Sequence, residues 1–408
     1  MTSMKLGILC GGYTGWGGGL DFARLVIESL GGLDDRRLDL HVIIPDRGPV
    51  LRARTFAWRV RAVVRGALLG DVSPKPGGIS SELVKASLGE GQIGARFHHI
   101  DDWRGALAAL ARKERLDAVL PAGFPLGANF SIPWAGFIDD FQYRYFPQNY
   151  APAFRDKRDR FLARMLTEPR AVVMLSRNAA ADARKFYPGL TATMFPLPFA
   201  AAPAEEWLTD QRDVARRYGV GERYFLISNQ FWLSKRHDVA FAAFEKLARD
   251  HSDVQLVCTG KAEEHRDPLY VPRLLQFIEE RRLEGRIRIL GFIPKLDQIA
   301  LMKHCLAVIQ PTEFEGTPGG LSVYDAISLG VRTIVSDISV NREIEEWVTA
   351  YFPSNDVDAL HQSMESMLDA PAERMPIEDL RRLGKARRRR CAEVLLSAAE
   401  FAVASRRA

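Results

Sequence analysis

Short apolar runs rich in β-branched residues alternate along this chain with longer stretches whose apolar positions recur every three or four residues. The first pattern is that of strands buried on both faces, the second that of amphipathic helices. KLGILC (5–10), LHVIIP (40–45), DAVLP (117–121), WAGFID (134–139) and AVVMLS (171–176) predict strands of one sheet. RYFLIS (223–228), VQLVCTG (254–260), IRILGF (287–292), LAVIQP (306–311) and RTIVSD (332–337) predict a second. Segments such as DVAFAAFEKLARD (238–250) supply the helices between them. Strand–helix alternation of this kind builds a parallel sheet covered on both faces. The Pro- and Ala-rich stretch PLPFAAAPAEE (196–206) divides the two series. The pattern therefore predicts an α/β protein of two Rossmann-like, doubly wound domains, residues 1–200 and 207–389. A C-terminal helix over about 390–408 is expected to pack back on the first domain. Ligands of such sheets bind beyond the carboxyl ends of strands, where the strand order reverses, so the loops that follow strands are the places to look for chemistry.

Composition narrows the partners. A chain of 408 residues, 47% hydrophobic, exceeds what a single core organises. Its 56 basic and 51 acidic residues leave a net charge of +5, too small an excess for a nucleic-acid face. No secretory pattern and no apolar run near the ~20 residues of a membrane span is present, so a cytoplasmic protein is expected. Cys10, Cys258, Cys305 and Cys391 stand apart in apolar settings and read as buried thiols. The segment 51–69, LRARTFAWRVRAVVRGALL, alternates Arg with apolar residues over a helical length. It suits either an ordinary amphipathic helix or a surface that meets anionic lipid at the inner membrane face or a lipid-linked acceptor.

Three post-strand loops carry candidate chemistry. GGYTGWGGGLDFARLVIESL (11–30) is a glycine-rich turn entering a helix, with Gly18 and Gly19 at the junction. It lacks the third glycine of a dinucleotide fingerprint but suits a phosphate or substrate lip. NQFWLSKRHDVAFAAF (229–244) places Lys235, Arg236 and His237 between a strand end and a helix start. TEFEGTPGGLSVYDAISLG (312–330) brackets a Pro- and Gly-rich helix entry with Glu315 and Asp325. Carboxylates accept hydrogen bonds from sugar hydroxyls, while the opening amides of the helix and Lys235 suit a phosphate. A charge pair outweighs a helix terminus several-fold, so Lys235 is expected to matter more for an anionic ligand than Gly319 or Gly320. The triplet DVD (356–358) reads as a helix cap rather than a metal motif, and His98–His99 beside Asp101–Asp102 reads as structural. No metal site and no cofactor is expected.

These segments together resemble the retaining nucleotide-sugar glycosyltransferases of family 4, and within them a polysaccharide-synthesis subgroup. QPTEFEG followed by YDAISLGVRTIVSDISVNREI is similar to the family's acidic signature, and NQFWLSKRHDVAFAAF to the subgroup's donor-phosphate segment. GFIPKLDQIALMKHC, FIDDFQYRYFPQNY (137–150) and VVMLSRNAAADARKFYP (172–188) extend the resemblance over most of the chain. It implies the two-domain GT-B fold, transfer of a sugar from a nucleoside-diphosphate sugar to a saccharide or lipid-linked acceptor with the anomeric configuration kept, and no metal. It further implies catalytic roles for Glu315, Lys235 and Asp140. Donor contacts fall to Asn229, Gln230 and Arg236, to Gly319, Gly320 and Leu321 at the diphosphate, and to Asp325 at the ribose. This chain departs from the family in three places. Glu315 and Asp325 are ten positions apart instead of eight, Gln230 stands where a basic residue is common, and Tyr143 stands where the subgroup has His. A sugar-nucleotide epimerase or hydrolase on the same fold, and a non-catalytic sugar-nucleotide binder, are the competing readings.

Overall fold

The computed structural model describes residues 3–11, 17–33, 38–45, 94–100, 105–210, 212–369 and 375–405. The segment 51–69, Asp101 and Asp102 lie outside them. Strands β1 (Met4–Leu9), β2 (Leu38–Pro45), β3 (Arg96–Ile100), β4 (Ala118–Ala122), β5 (Trp134–Ile138), β6 (Ala171–Met174) and β7 (Thr193–Pro196) form one sheet in the order 3-2-1-4-5-6-7. All its neighbours pair in parallel. Among the described residues its helices are α1 (Gly17–Gly31), α2 (Gly105–Glu114), α3 (Gln142–Tyr145), α4 (Pro152–Thr167) and α5 (Arg177–Phe186), and the short α6 (Glu205–Thr209) follows it in the chain.

The second sheet contains β8 (Arg223–Ser228), β9 (Val254–Thr259), β10 (Ile287–Gly291), β11 (Val308–Gln310), β12 (Thr333–Asp337) and β13 (Ala350–Pro353) in the order 10-9-8-11-12-13, again parallel throughout. Helices α7 (His237–Asp250), α8 (Tyr270–Glu280), α9 (Lys295–His304), α10 (Gly320–Ser328), α11 (Val357–Glu365) and α12 (Ile377–Ala404) complete the described fold. The strand order reverses between β1 and β4 in the first sheet and between β8 and β11 in the second, which makes the described loops after β4, β8 and β11 the places where a ligand of such sheets binds.

The ten strands expected from apolar runs are all present. β3, β7 and β13 carry weaker signals because each lies at a sheet edge, where one flank is solvated. Successive strand residues point to opposite faces. Leu6 and Ile8 therefore join Val26 and Leu30 of α1 in one core, while Leu9 and Val119 join Leu162 and Met165 of α4 in another.

The C-terminal helix begins at Ile377, just after Pro376, and crosses from the second domain to the first. Cys391, Leu395, Leu396 and Ala399 pack in the core with Leu6 and Val26. The basic run before them is partly structural. Arg387 lies over the rings of Phe199 and Trp347, 5.7 and 4.7 Å from their centroids, and Arg388 donates to the Leu25 carbonyl at 3.1 Å and pairs with Glu28 at 3.2 Å.

Cys10, Cys258 and Cys391 are buried, Cys305 is half-buried, and all four are thiols. His98 meets His41 through ring nitrogens 2.9 Å apart. Asp356 accepts the Ala359 amide at 2.9 Å and caps α11. No helix among the described residues is long and apolar enough to cross a membrane.

Candidate active site

The loop after β8 and the loop after β11 flank the switch point of the second sheet and are stitched together. Ser234 offers its carbonyl to the Thr312 hydroxyl at 2.8 Å and to the Glu313 amide at 2.9 Å. Ser336, at the end of β12, donates to the Thr312 carbonyl from the other side. Glu315 is thereby held beside Lys235, and their side chains form an ion pair with about a tenth of each exposed, 11% for Lys235 and 10% for Glu315.

A second partner orients the carboxylate. Gln310, fully buried as the last residue of β11, donates Nε2 to Glu315 Oε1 at 2.6 Å and accepts from the Asn229 side-chain amide. Asn229, Gln310, Glu315 and Lys235 thus form one polar chain across the switch point. Gln310 escaped the sequence reading, although a glutamine ending the apolar run VIQ is the kind of buried polar residue that needs a partner. Gln230 lies in the same loop, half-buried, and its carbonyl accepts the Trp232 amide at 2.8 Å.

The other two residues of the basic triplet point elsewhere. Arg236 sits in the left-handed region, with φ 48°, and this turns its side chain away from Glu315. It engages Asp238 through two hydrogen bonds of 3.0 and 2.8 Å, pairs with Glu313 at 3.3 Å, and donates to Asn355. There it borders a separate interdomain cavity of about 530 Å³ that includes Phe146, Asn149, Tyr270 and Phe277. His237 is no cation at all. It is wholly buried, stacked on Phe231 at 4.0 Å, and burial pushes its pKa down to about 3. Of the three, only Lys235 meets Glu315.

Gly319 and Gly320 adopt φ of 70° and 67°, values that favour glycine. The Gly319 amide donates to Asn341 Oδ1 at 2.7 Å, while Asn341 Nδ2 donates to the Ser336 carbonyl at 2.8 Å. Gly319 is therefore a conformational residue whose N–H is held by Asn341. The Gly320 amide closes onto Thr317 O at 3.2 Å, so helix geometry leaves Leu321 and Ser322 as the opening amides of α10.

Asp325 lies one and a half turns into α10, buried, and pairs with Lys295 at the start of α9. Burial raises its pKa, Lys295 lowers it, and Asp21 of α1 raises it again. Asp21 stands opposite on the first domain, in the turn after Gly18 and Gly19. Asp21 and Lys295 keep contact with solvent even though protein surrounds both. The pKa of Asp21 is raised by that surrounding and lowered by Lys295 and then Arg24. The entry to α1 and the entry to α9 therefore face one another.

Across from Glu315, the first domain supplies Asp139 and Asp140 from the loop after β5. They lie so close that a Cβ on Gly316 would come within 2.8 Å of the Asp140 Cβ and 2.9 Å of the Asp139 carbonyl oxygen. Asp140 accepts the Gln142 amide at 2.9 Å, and Asp139 accepts from Arg158 at 2.5 Å. Burial pushes the Asp140 pKa up to about 7. Asp139 and, more weakly, Glu315 push the same way, while the Gln142 amide and Arg158 oppose them.

Tyr143, in contrast, faces the first core and is 3% exposed. Its hydroxyl donates to Asp159 and lies 2.7 Å from that of Tyr187. It occupies the sequence position of a histidine without occupying a cleft position.

Two facing, doubly wound domains with an acid-and-lysine site at the second switch point have the architecture of GT-B glycosyltransferases. Residues 211–390 match the family model described as glycosyl transferases group 1, which spans the second sheet and the first half of α12. Sucrose-phosphate synthase from Thermosynechococcus elongatus superposes with a TM-score of 0.58 at 15% identity, over 97% of this chain and 96% of that one. A glycosyltransferase from Rickettsia africae gives 0.57 at 14% identity, over 100% and 97%. HepE from Anabaena, solved in complex with UDP-glucose, gives 0.57 at 14% identity, over 99% and 100%. Likeness at these identities shows the shared fold. A comparison with curated proteins gave no match.

Proposed function

We propose that the protein is a retaining glycosyltransferase that moves a sugar from a nucleoside diphosphate to an acceptor hydroxyl. The observation that carries this reading is the Gln310–Glu315–Lys235 arrangement at the β8/β11 switch point, closed from the opposite domain by Asp140. The group 1 match and the UDP-glucose held by HepE support the donor class.

In this reading Glu315 accepts hydrogen bonds from the donor sugar's hydroxyls. Lys235 and the opening amides of α10 at Leu321 and Ser322 take up charge as the diphosphate departs. Asp325 receives ribose hydroxyls, with Lys295 alongside. The acceptor attacks from the face the diphosphate leaves, and the leaving phosphate oxygen takes the acceptor's proton, so that electrostatic stabilisation supplies most of the rate. The same reading assigns the protein to family 4, to the cytoplasm, and to the synthesis of a surface polysaccharide or glycolipid, with turnover that persists in chelator.

A panel of nucleotide sugars tests it, with released nucleotide and thermal stabilisation followed with and without saccharide acceptors. Acceptor-dependent nucleotide release, with an axial or equatorial product configuration matching the donor's by NMR, is the expected result. Turnover of donor alone would replace the reading with hydrolysis or epimerisation, and stabilisation without turnover would leave a binder.

A further inference from the structure

The glycine turn that follows Glu315 is gripped at both ends by a circuit of hydrogen bonds that crosses the cleft. Ser176, buried at the end of β6, donates its hydroxyl to the Gly316 carbonyl at 2.9 Å. The same oxygen accepts the Ala179 amide at 3.0 Å, so Ser176 is also the N-terminal cap of α5. The first two amides of that helix do not find their partners in the first domain. Arg177 N and Asn178 N donate to the two carboxylate oxygens of Glu343 from the second domain, at 3.1 and 2.7 Å. Glu343 belongs to the short 3-10 turn Asn341–Trp347, whose first residue holds the Gly319 amide. The path therefore runs from Gly316 through Ser176 to the α5 N-terminus, then to Glu343, Asn341 and back to Gly319.

A carboxylate aimed at the opening amides of a helix is favoured by both charge and hydrogen bonding. Here helix and carboxylate belong to different domains, so the favourable contact exists only while the cleft is closed. Resting on the glycosyltransferase reading for the ligand involved, we propose that Ser176 and Glu343 are positioning residues: they clasp the domains shut in the free protein and hold the Glu315–Gly316 turn in register against Asp140, so that the closed form they favour is the one competent to bind donor. Neither touches the donor in this assignment; both act through the turn.

When a binding-competent state is only partly populated, apparent affinity falls by that fraction while the rate at saturation is retained. Glu343→Gln is therefore expected to raise the donor KM about tenfold and to change kcat by less than about threefold. Ser176→Val should do the same, whereas Ser176→Thr, of equal shape but with the hydroxyl kept, should restore the wild-type KM. Two ligand-free readouts on the full chain accompany the kinetics: hydrogen exchange of the 177–179 amides and the radius of gyration by X-ray scattering. Faster exchange and a larger radius in Glu343→Gln are expected. Unchanged exchange and radius would overturn the clasp, as would a lowered Tm with an unchanged donor KM. If the wild-type protein takes no nucleotide sugar, the glycosyltransferase reading fails, while exchange and scattering still decide the clasp.

Discussion

Lys235 and Glu315 come from loops 80 residues apart and pair across the switch point of the second sheet, with about nine-tenths of each side chain hidden from solvent. Removing one member of such a pair leaves the other charge buried with less compensation, which costs about 3–5 kcal/mol in typical cases. Gln310 remains beside Glu315 and softens the loss. Lys235→Ala is expected to lower stability toward the small end of that range and donor affinity by about 2 kcal/mol, measured by denaturant titration and calorimetry. The pair Lys235→Met with Glu315→Gln should cost less stability than the sum of the singles, and an additive result would show that the two groups do not couple.

The glycine turn changes the ranking that charge alone suggests. At Gly320 an added Cβ would lie 2.9 Å from Gln310 Nε2 and 3.1 Å from Glu315 Oε1, on a backbone with φ 67°. At Gly319 it would lie 2.5 Å from a Val323 methyl. The left-handed backbone costs an alanine about 1–2 kcal/mol at either site. Gly319→Ala is expected to show mainly lost stability. Gly320→Ala should lose stability and also displace Glu315, giving a donor affinity loss comparable to that of Lys235→Ala. Measuring both quantities for both variants checks this, and equal affinity losses would contradict it.

The sheets and the pairing loops were legible because each rests on local pattern. Continuous apolar runs mark the inner strands, and Lys235 and Glu315 each lie in the loop that follows such a run. What sequence could not show was direction. Arg236 neighbours Lys235 but turns away because its backbone is left-handed between a 3-10 turn and α7. The Gly319 amide looks free in the string GTPGG, yet Asn341, 22 residues on, has taken it. Ser176 and Gly316 meet across a separation of 140 residues, and such contacts leave no local periodic trace. The same limit applies to Tyr143, whose position beside Asp140 and Gln142 suggests the cleft while its side chain points into the core.

Tyr143→Phe separates position from role. The change removes one hydroxyl from a buried cluster in which Asp159 keeps Tyr187, at 2.8 Å, and Arg144, at 2.7 Å. Loss of a buried hydrogen bond to a charged group costs about 1–3 kcal/mol. A Tm lowered by several degrees with transfer kinetics unchanged is the expected outcome. A fall in kcat without a change in Tm would place Tyr143 in the catalytic machinery.

Asp140 gives the protein a pH dependence whose sign follows from its raised pKa. In the unfolded chain the carboxyl titrates near its model value of 3.8, while burial, helped by Asp139, moves it to about 7 in the fold. The native state therefore holds a proton that the unfolded state has already lost over that interval, and stability declines as pH rises from about 4 to about 7. Asp140→Asn cannot ionise, so relative to wild type it should gain stability steadily across the same window and level off above it. In catalysis the ionised form is the one able to accept a hydrogen bond from an acceptor hydroxyl and so orient it, while the leaving phosphate takes the proton. The wild-type kcat/KM is accordingly expected to climb with pH to a midpoint near 7, a property of the Asp139–Asp140–Glu315 cluster as a whole, and this limb should vanish in Asp140→Asn. Denaturant titrations and initial rates at pH 5 to 8 measure both effects. A variant that keeps the acid limb would place the titrating group elsewhere in the cleft.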